Sequence, residues 1–140
     1  MRRAVFNQKS GVGKSSFAVN LAAASAKAGL KPLSLDLDVQ GNSTDYVMGE
    51  SSEPLPGVED FFQNQLSLSS REPVTSLIHQ SVYDNLSVMP SGRGLLELEY
   101  KLESRYKVCK LKECLDELTQ DFDHIFLNTP SALNFFLGWQ

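Results

Sequence analysis

Cysteine and histidine are scarce in this chain, with two of each among 140 residues. Cys109 and Cys114 are five apart, with no CxxC pair and no histidine cluster beside them. That spacing argues against a zinc site and against a disulfide framework, and leaves reduced, structural thiols as the expectation. His79 and His124 belong to no motif and are assigned no role. No stretch approaches the roughly 18 consecutive apolar residues of a membrane span. Met1-Arg-Arg begins as a signal peptide does, but Asn7, Gln8 and Lys9 interrupt any apolar segment behind it, so a cytoplasmic protein with no membrane partner is expected. Positive charge is also in short supply, with 13 Lys and Arg against 17 Asp and Glu and a net charge of -4. A molecule of that balance does not attract polyanions as a whole. Arg2 with Arg3, and Lys107, Lys110 and Lys112, are offset by neighbouring acids and read as solvated faces, so DNA binding is expected to be weak or absent.

What is present is the make-up of an ordinary globular domain: 41% hydrophobic and 21% charged residues, without repeats or low-complexity tracts. A single domain of this length buries roughly 65–70% of its unfolded surface, enough for a real core.

The segment "NQKSGVGKSS", residues 7–16, organises the chain. An apolar run, Arg3 to Phe6, precedes it, and the Ala- and Leu-rich "KSSFAVNLAAASAKAG" follows, giving strand, loop and a helix from Lys14 to Ala28. Phe17, Leu21 and Ala24 are expected on one face, with Gly29 as the stop. "LKPLSLDLD", 30–38, reads as a second strand that completes a βαβ unit and pairs in parallel with the first. Loop and acids then share the carboxyl edge of the sheet, where open α/β sheets bind ligands. Residues 50–57 read as a surface loop, "VEDFFQNQL" and "PVTSLIHQS" as short helices, and "NLSVMP" as a third strand. A helical stretch follows from Leu95 to Ser104, then an amphipathic helix from Arg105 to Gln120. Val108, Leu111, Leu115 and Leu118 share its apolar face, which should cover the sheet. "DHIFLN", 123–128, is a fourth strand. Trp139 either packs on the sheet or serves an interface.

A glycine-rich turn between strand and helix lets backbone amides converge on phosphate oxygens, and the helix N-terminus adds partial positive charge. Ser10, Gly11, Val12, Gly13, Lys14, Ser15 and Ser16 form this cradle. Gly11 and Gly13 supply the permissive backbone, Lys14 reaches the β- and γ-phosphates, and the Ser15 hydroxyl is placed to ligate Mg²⁺. Gln8, however, stands where an ordinary phosphate loop has glycine.

The loop, "DLDVQGN" and "FLNTPSALN" occur in the order and rough spacing of the ParA/MinD family of deviant Walker A ATPases. The chain resembles the ParA branch most closely, over essentially its whole length. The resemblance implies a P-loop NTPase-type α/β fold, a doubly wound, mostly parallel sheet flanked by helices in one domain. It implies ATP and Mg²⁺ as cofactors. It also implies a nucleotide-dependent homodimer and a role in plasmid, chromosome or cargo partitioning with a ParB-like or cargo partner. Lys9 matches the lysine that reaches the partner's nucleotide across an ATP-sandwich dimer, where a cation supplied in trans couples occupancy to pairing. The bland alternative for Lys9 is a solvated loop lysine. Asp38 matches the water-positioning Asp and Asp36 its neighbour near the metal. Alternatively, either Asp caps a helix that "QGNST" starts at Asn42 or Ser43.

Four departures stand out. Ser10 replaces a glycine at the close approach in the sandwich, so reduced pairing is expected. Asn128 occupies the Walker B position, where a carboxylate normally supports the Mg²⁺ shell; a neutral amide there costs roughly 10–100-fold in metal affinity or activity. Ser131 replaces the second proline of the TPP turn. Family members also continue well past "ALNFF", so the fold is expected to be truncated on its C-terminal side, with an uncovered sheet edge open to pairing.

Two functions compete. One is a weak Mg-ATPase acting as a dimerisation switch through Lys9, Lys14, Ser15 and Asp38. The other is a degenerate, non-hydrolysing module that associates with a full-length relative or other partner. An ordinary GTPase or small-molecule kinase is disfavoured by Gln8 and the missing [NT]KxD, and an iron-protein relative by the cysteine positions.

Overall fold

The computed structural model describes residues 2–5, 14–38, 41–49, 55–66, 73–92 and 104–128. Their elements, in chain order, are β1 (Arg2–Val5), α1 (Lys14–Lys27), β2 (Pro32–Asp36), α2 (Asn42–Met48), α3 (Val58–Leu66), a 3₁₀ turn (Val74–Leu77), β3 (His79–Gln80), β4 (Ser87–Met89), α4 (Ser104–Leu118) and β5 (His124–Asn128). The strands form one five-stranded sheet in the order β1-β5-β2-β4-β3. Only the β3–β4 pair is antiparallel.

The expected β1–β2 pair does not form. β5 lies between them, with Arg2 beside Ile125 on one flank and Leu33 beside Ile125 on the other. β2 and β5 run through the middle of the sheet, and proline is tolerated in β2 because it is the first residue, where its missing N–H costs least.

Both faces are covered, as a doubly wound sheet requires. Leu33, Leu35, Ile125 and Leu127 point to one face and pack with Phe61 and Phe62 of α3 and Leu111, Leu115 and Leu118 of α4. Val88 and Phe126 point to the other, against Val19, Ala22 and Ala26 of α1 and Val47 of α2. The period of two along the strands therefore meets helices on each side. Burying a leucine such as Leu115 contributes about 2 kcal/mol.

The face of α1 that carries Phe17 and Ala24 is not the one turned to the core. Phe17 is 57% exposed and Ala24 is exposed, while Ala18, Val19, Ala22, Ser25 and Ala26 are buried. Small side chains let the helix backbone lie close to the sheet, and a phenylalanine on that face would hold it away. Gly29 ends the helix as expected. At φ +85° it lets the Gly29 amide bond the Ala26 carbonyl and the Leu30 amide bond the Ser25 carbonyl, a Schellman closure.

The segment read as a short helix at 73–81 is instead the 3₁₀ turn followed by β3, so His79 lies in a strand, its Nε2 2.6 Å from the Pro56 carbonyl. Cys114 is a buried free thiol, its pKa raised by burial and then by the negative charge of Glu117. No helix among the described residues is long and apolar enough to cross a membrane. The helix expected at 95–104 lies almost wholly outside the described residues, as do Ser131 and Trp139.

Candidate functional site

The carboxyl ends of β1, β5 and β2 lie side by side. Val5 is in register with Asn128, and Asn128 with Asp36. The Leu37 amide extends that ladder by one bond to the Asn128 carbonyl, 2.8 Å. β1 therefore ends next to Asn128, and α1 begins at Lys14. Lys14, Ser15 and Ser16 form the first turn of α1, while Lys9, Ser10, Gly11, Val12 and Gly13 lie outside the described residues.

Asp36 is fully buried at this edge. Its Oδ1 accepts from the Asp38 backbone N–H and from Asn128 Nδ2, each at 3.1 Å. Its Oδ2 accepts from the Thr44 N–H at 2.9 Å and the Thr44 hydroxyl at 2.7 Å. Burial pushes the carboxyl above its ordinary value, and these hydrogen bonds, led by Thr44, oppose that rise.

The helix-capping alternative for Asp36 therefore describes a real part of its work. Gly41 precedes α2 and offers no side-chain cap. Thr44 is the third residue of α2, and its otherwise orphaned N–H is satisfied by Asp36 from β2 instead. Asp38 follows the strand and is also buried. Its carbonyl accepts from the Gly41 N–H at 3.0 Å and from the Ser91 hydroxyl at 2.5 Å.

A carboxylate offers about four lone-pair sites, and protein donors fill those of Asp36. Mg²⁺ sheds water reluctantly and usually keeps several waters. Asp36 thus fits a hydrated ion through its negative charge, and direct ligation would require it to surrender one of these donors. Asn128 adds a dipole without charge. Among the described residues there is no group of three or more His, Cys, Asp or Glu that could hold a metal ion.

Thr44 and Ser91 were not singled out by the sequence. Each is a hydroxyl in a polar stretch without period, and the available signal was position: Thr44 three residues into a helix lacking its own cap, Ser91 just past the end of β4.

A mostly parallel sheet in which β1 is followed in sequence by a Gly-Lys-Ser motif and α1, with Asn128 at the tip of the adjacent strand β5 and the acid Asp36 at the tip of β2 beyond it, is the architecture of a P-loop α/β domain. An AAA domain family, AAA_31, matches residues 3–138. The chain belongs to that family, in its ParA/Soj-like group.

It is 31% identical to the sporulation initiation inhibitor protein Soj of Bacillus subtilis over 131 residues, 93% of this chain and 49% of Soj. Among solved structures it is similar to cobyrinic acid a,c-diamide synthase from Mycobacterium smegmatis with bound ATP analogue and magnesium, at 25% identity and a TM-score of 0.77, over 95% of this chain and 53% of that one. It also shares the fold of a plasmid partition protein from Borrelia burgdorferi, at 22% identity and a TM-score of 0.74, over 97% of this chain and 58% of that one. The chain spans about half the length of the curated relatives it matches.

Proposed function

We propose that this chain binds Mg-ATP in the 7–16 loop and acts as a slow, nucleotide-dependent dimerisation switch in the partitioning of DNA or another cargo. Lys14 and the backbone of Ser10, Gly11, Val12, Gly13, Ser15 and Ser16 hold the triphosphate. Lys9 neutralises charge on the partner copy's nucleotide, as a cation supplied in trans does in phosphoryl transfer. Ser15 would ligate Mg²⁺, with Asp36 and Asn128 supporting its water shell, and the ion would supply positive charge to offset that of the phosphates. Asp38 orients the attacking water. A ParB-like or cargo protein is the expected partner.

The observation that carries this reading is the register Val5–Asn128–Asp36. It sets the end of β1 beside Asn128, with the buried Asp36 carboxylate one strand further along the carboxyl edge of a mostly parallel sheet, the edge where open α/β sheets bind ligands. Titration calorimetry with Mg-ATP tests it, together with phosphate release and sedimentation with and without nucleotide. Binding that disappears in Lys14→Ala, and nucleotide-dependent pairing that disappears in Lys9→Ala, are expected. Absence of binding heat in the unaltered chain overturns the reading.

The second reading, a non-hydrolysing interaction module, draws on Asn128. Its amide already donates to Asp36, so this edge is held together by a neutral group where a carboxylate would require a cation. Nucleotide binding without any phosphate release would favour it.

A further inference from the structure

The peptide groups of Asp38 are gripped from both sides by residues that lie outside the phosphate loop. Its N–H donates to Asp36 Oδ1 at 3.1 Å. Its carbonyl accepts from Ser91 Oγ at 2.5 Å and from the Gly41 N–H at 3.0 Å. The Ser91 N–H in turn donates to Thr44 Oγ1 at 2.9 Å, and Thr44 Oγ1 donates to Asp36 Oδ2 at 2.7 Å.

These bonds close a ring: Asp38 to Asp36, Asp36 to Thr44, Thr44 to Ser91, and Ser91 back to Asp38. It joins the end of β2, the start of α2 and the segment after β4. Thr44 Oγ1 is donor and acceptor at once, so losing that hydroxyl opens the ring between Thr44 and Ser91 and leaves only the Thr44 N–H, at 2.9 Å, holding Asp36 Oδ2. Ser91 likewise works through two atoms, its N–H toward Thr44 and its Oγ toward Asp38.

We propose that Thr44 and Ser91 are positioning residues that hold the Asp38 backbone in place for catalysis, an inference that rests on the hydrolytic reading of Asp38 above. A carboxylate that orients water must be held within about 0.5 Å of its working place by a supporting layer of hydrogen bonds. A misplacement of about 1 Å can lower a rate roughly 100-fold. The ring is that supporting layer. It acts on the geometry of Asp38 rather than on the triphosphate, so its loss should lower turnover and spare nucleotide affinity.

The test compares the unaltered 140-residue chain with Ser91→Ala, Thr44→Val and Thr44→Ser. Nucleotide affinity is read with a fluorescent ATP analogue and turnover by single-turnover phosphate release at saturating Mg-ATP. The expected result is turnover lowered about 10-fold or more in Ser91→Ala and Thr44→Val, affinity within about 2-fold, and Thr44→Ser close to the unaltered chain. If Thr44→Val does not fold, Ser91→Ala and the Thr44→Ser comparison decide.

Variants that hydrolyse as fast as the unaltered chain overturn the inference alone. So do variants that lose affinity and turnover together, since that marks a merely structural role. An unaltered chain that binds nucleotide but releases no phosphate overturns the hydrolytic reading, and this inference with it.

Discussion

Asn128 donates its side-chain amide to Asp36 across 3.1 Å between neighbouring strands, and both residues are almost completely buried. An aspartate at 128 would set two carboxylates side by side in a site with little water, where like charges oppose ionisation of both.

Asn128→Asp is therefore expected to lose about 1–3 kcal/mol of stability at neutral pH without metal, through the lost hydrogen bond and the added repulsion. Mg²⁺ should restore much of the loss. Thermal unfolding with and without Mg²⁺, in the absence of nucleotide, measures both effects. Equal melting of the two proteins in metal-free buffer would show that the amide does not carry this balance.

Gly57 sits at the start of α3, its N–H bonded to Asp60 Oδ2 at 2.9 Å. A β-carbon there would come within 2.1 Å of the Pro90 carbonyl oxygen, the same carbonyl that accepts from the Val58 N–H at 2.9 Å. Backbone must move to make room. Gly57→Ala is expected to cost about 1–3 kcal/mol, read as a lower urea midpoint with an unchanged slope.

Leu115 is fully buried where α4 meets the sheet. Leu115→Ala should destabilise by about 2–5 kcal/mol, depending on how far α4 settles into the space. Urea unfolding followed by circular dichroism gives the value, and a loss under about 1 kcal/mol would mean that α4 does not pack as described.

Burial, and then the negative charge of Glu117, push the Cys114 thiol from its ordinary 9.0 up to about 12. A folded value above the unfolded one means that the native state holds the proton more tightly. The associated stability is whole below about 9 and is lost as pH rises toward about 12. In a Cys109→Ser background, iodoacetamide at mildly alkaline pH should label Cys114 slowly in buffer and rapidly in urea. Urea midpoints should also fall more steeply over that alkaline window than in Cys109→Ser with Cys114→Ala. Fast labelling of the folded protein would contradict the burial.

The strands carrying the site, the stop at Gly29 and the sheet-covering face of α4 were legible because local chemistry decides each of them. Leu111, Leu115 and Leu118 keep helical spacing, and Gly29 takes a backbone angle that other residues rarely adopt. The buried face of α1 was not legible in the sequence, because small side chains carry it. Ala18 and Ala22 face the sheet since their smallness permits close approach, and Phe17 faces away. At 73–81, apolar residues without clear period left helix and strand indistinguishable, and pairing of His79 with Val88 decided for β3. The β1–β2 adjacency failed because the intervening strand comes from far along the chain. The ring through Thr44 and Ser91 lay beyond pattern reading for the same reason: Ser91 meets Thr44 across 47 positions. The 7–13 loop, although the clearest motif, lies outside the described residues, so its roles remain with the proposed function.

The sheet order also sets a timetable. As the chain emerges from the ribosome N-terminus first, β2 and β4 can associate early, but the described partner of β1 is β5, whose last residue is Asn128. Until β5 slides between its neighbours, β1 lacks its partner among the described strands. A nascent chain should therefore gain the ability to hold nucleotide late and abruptly, after β5 has been synthesised.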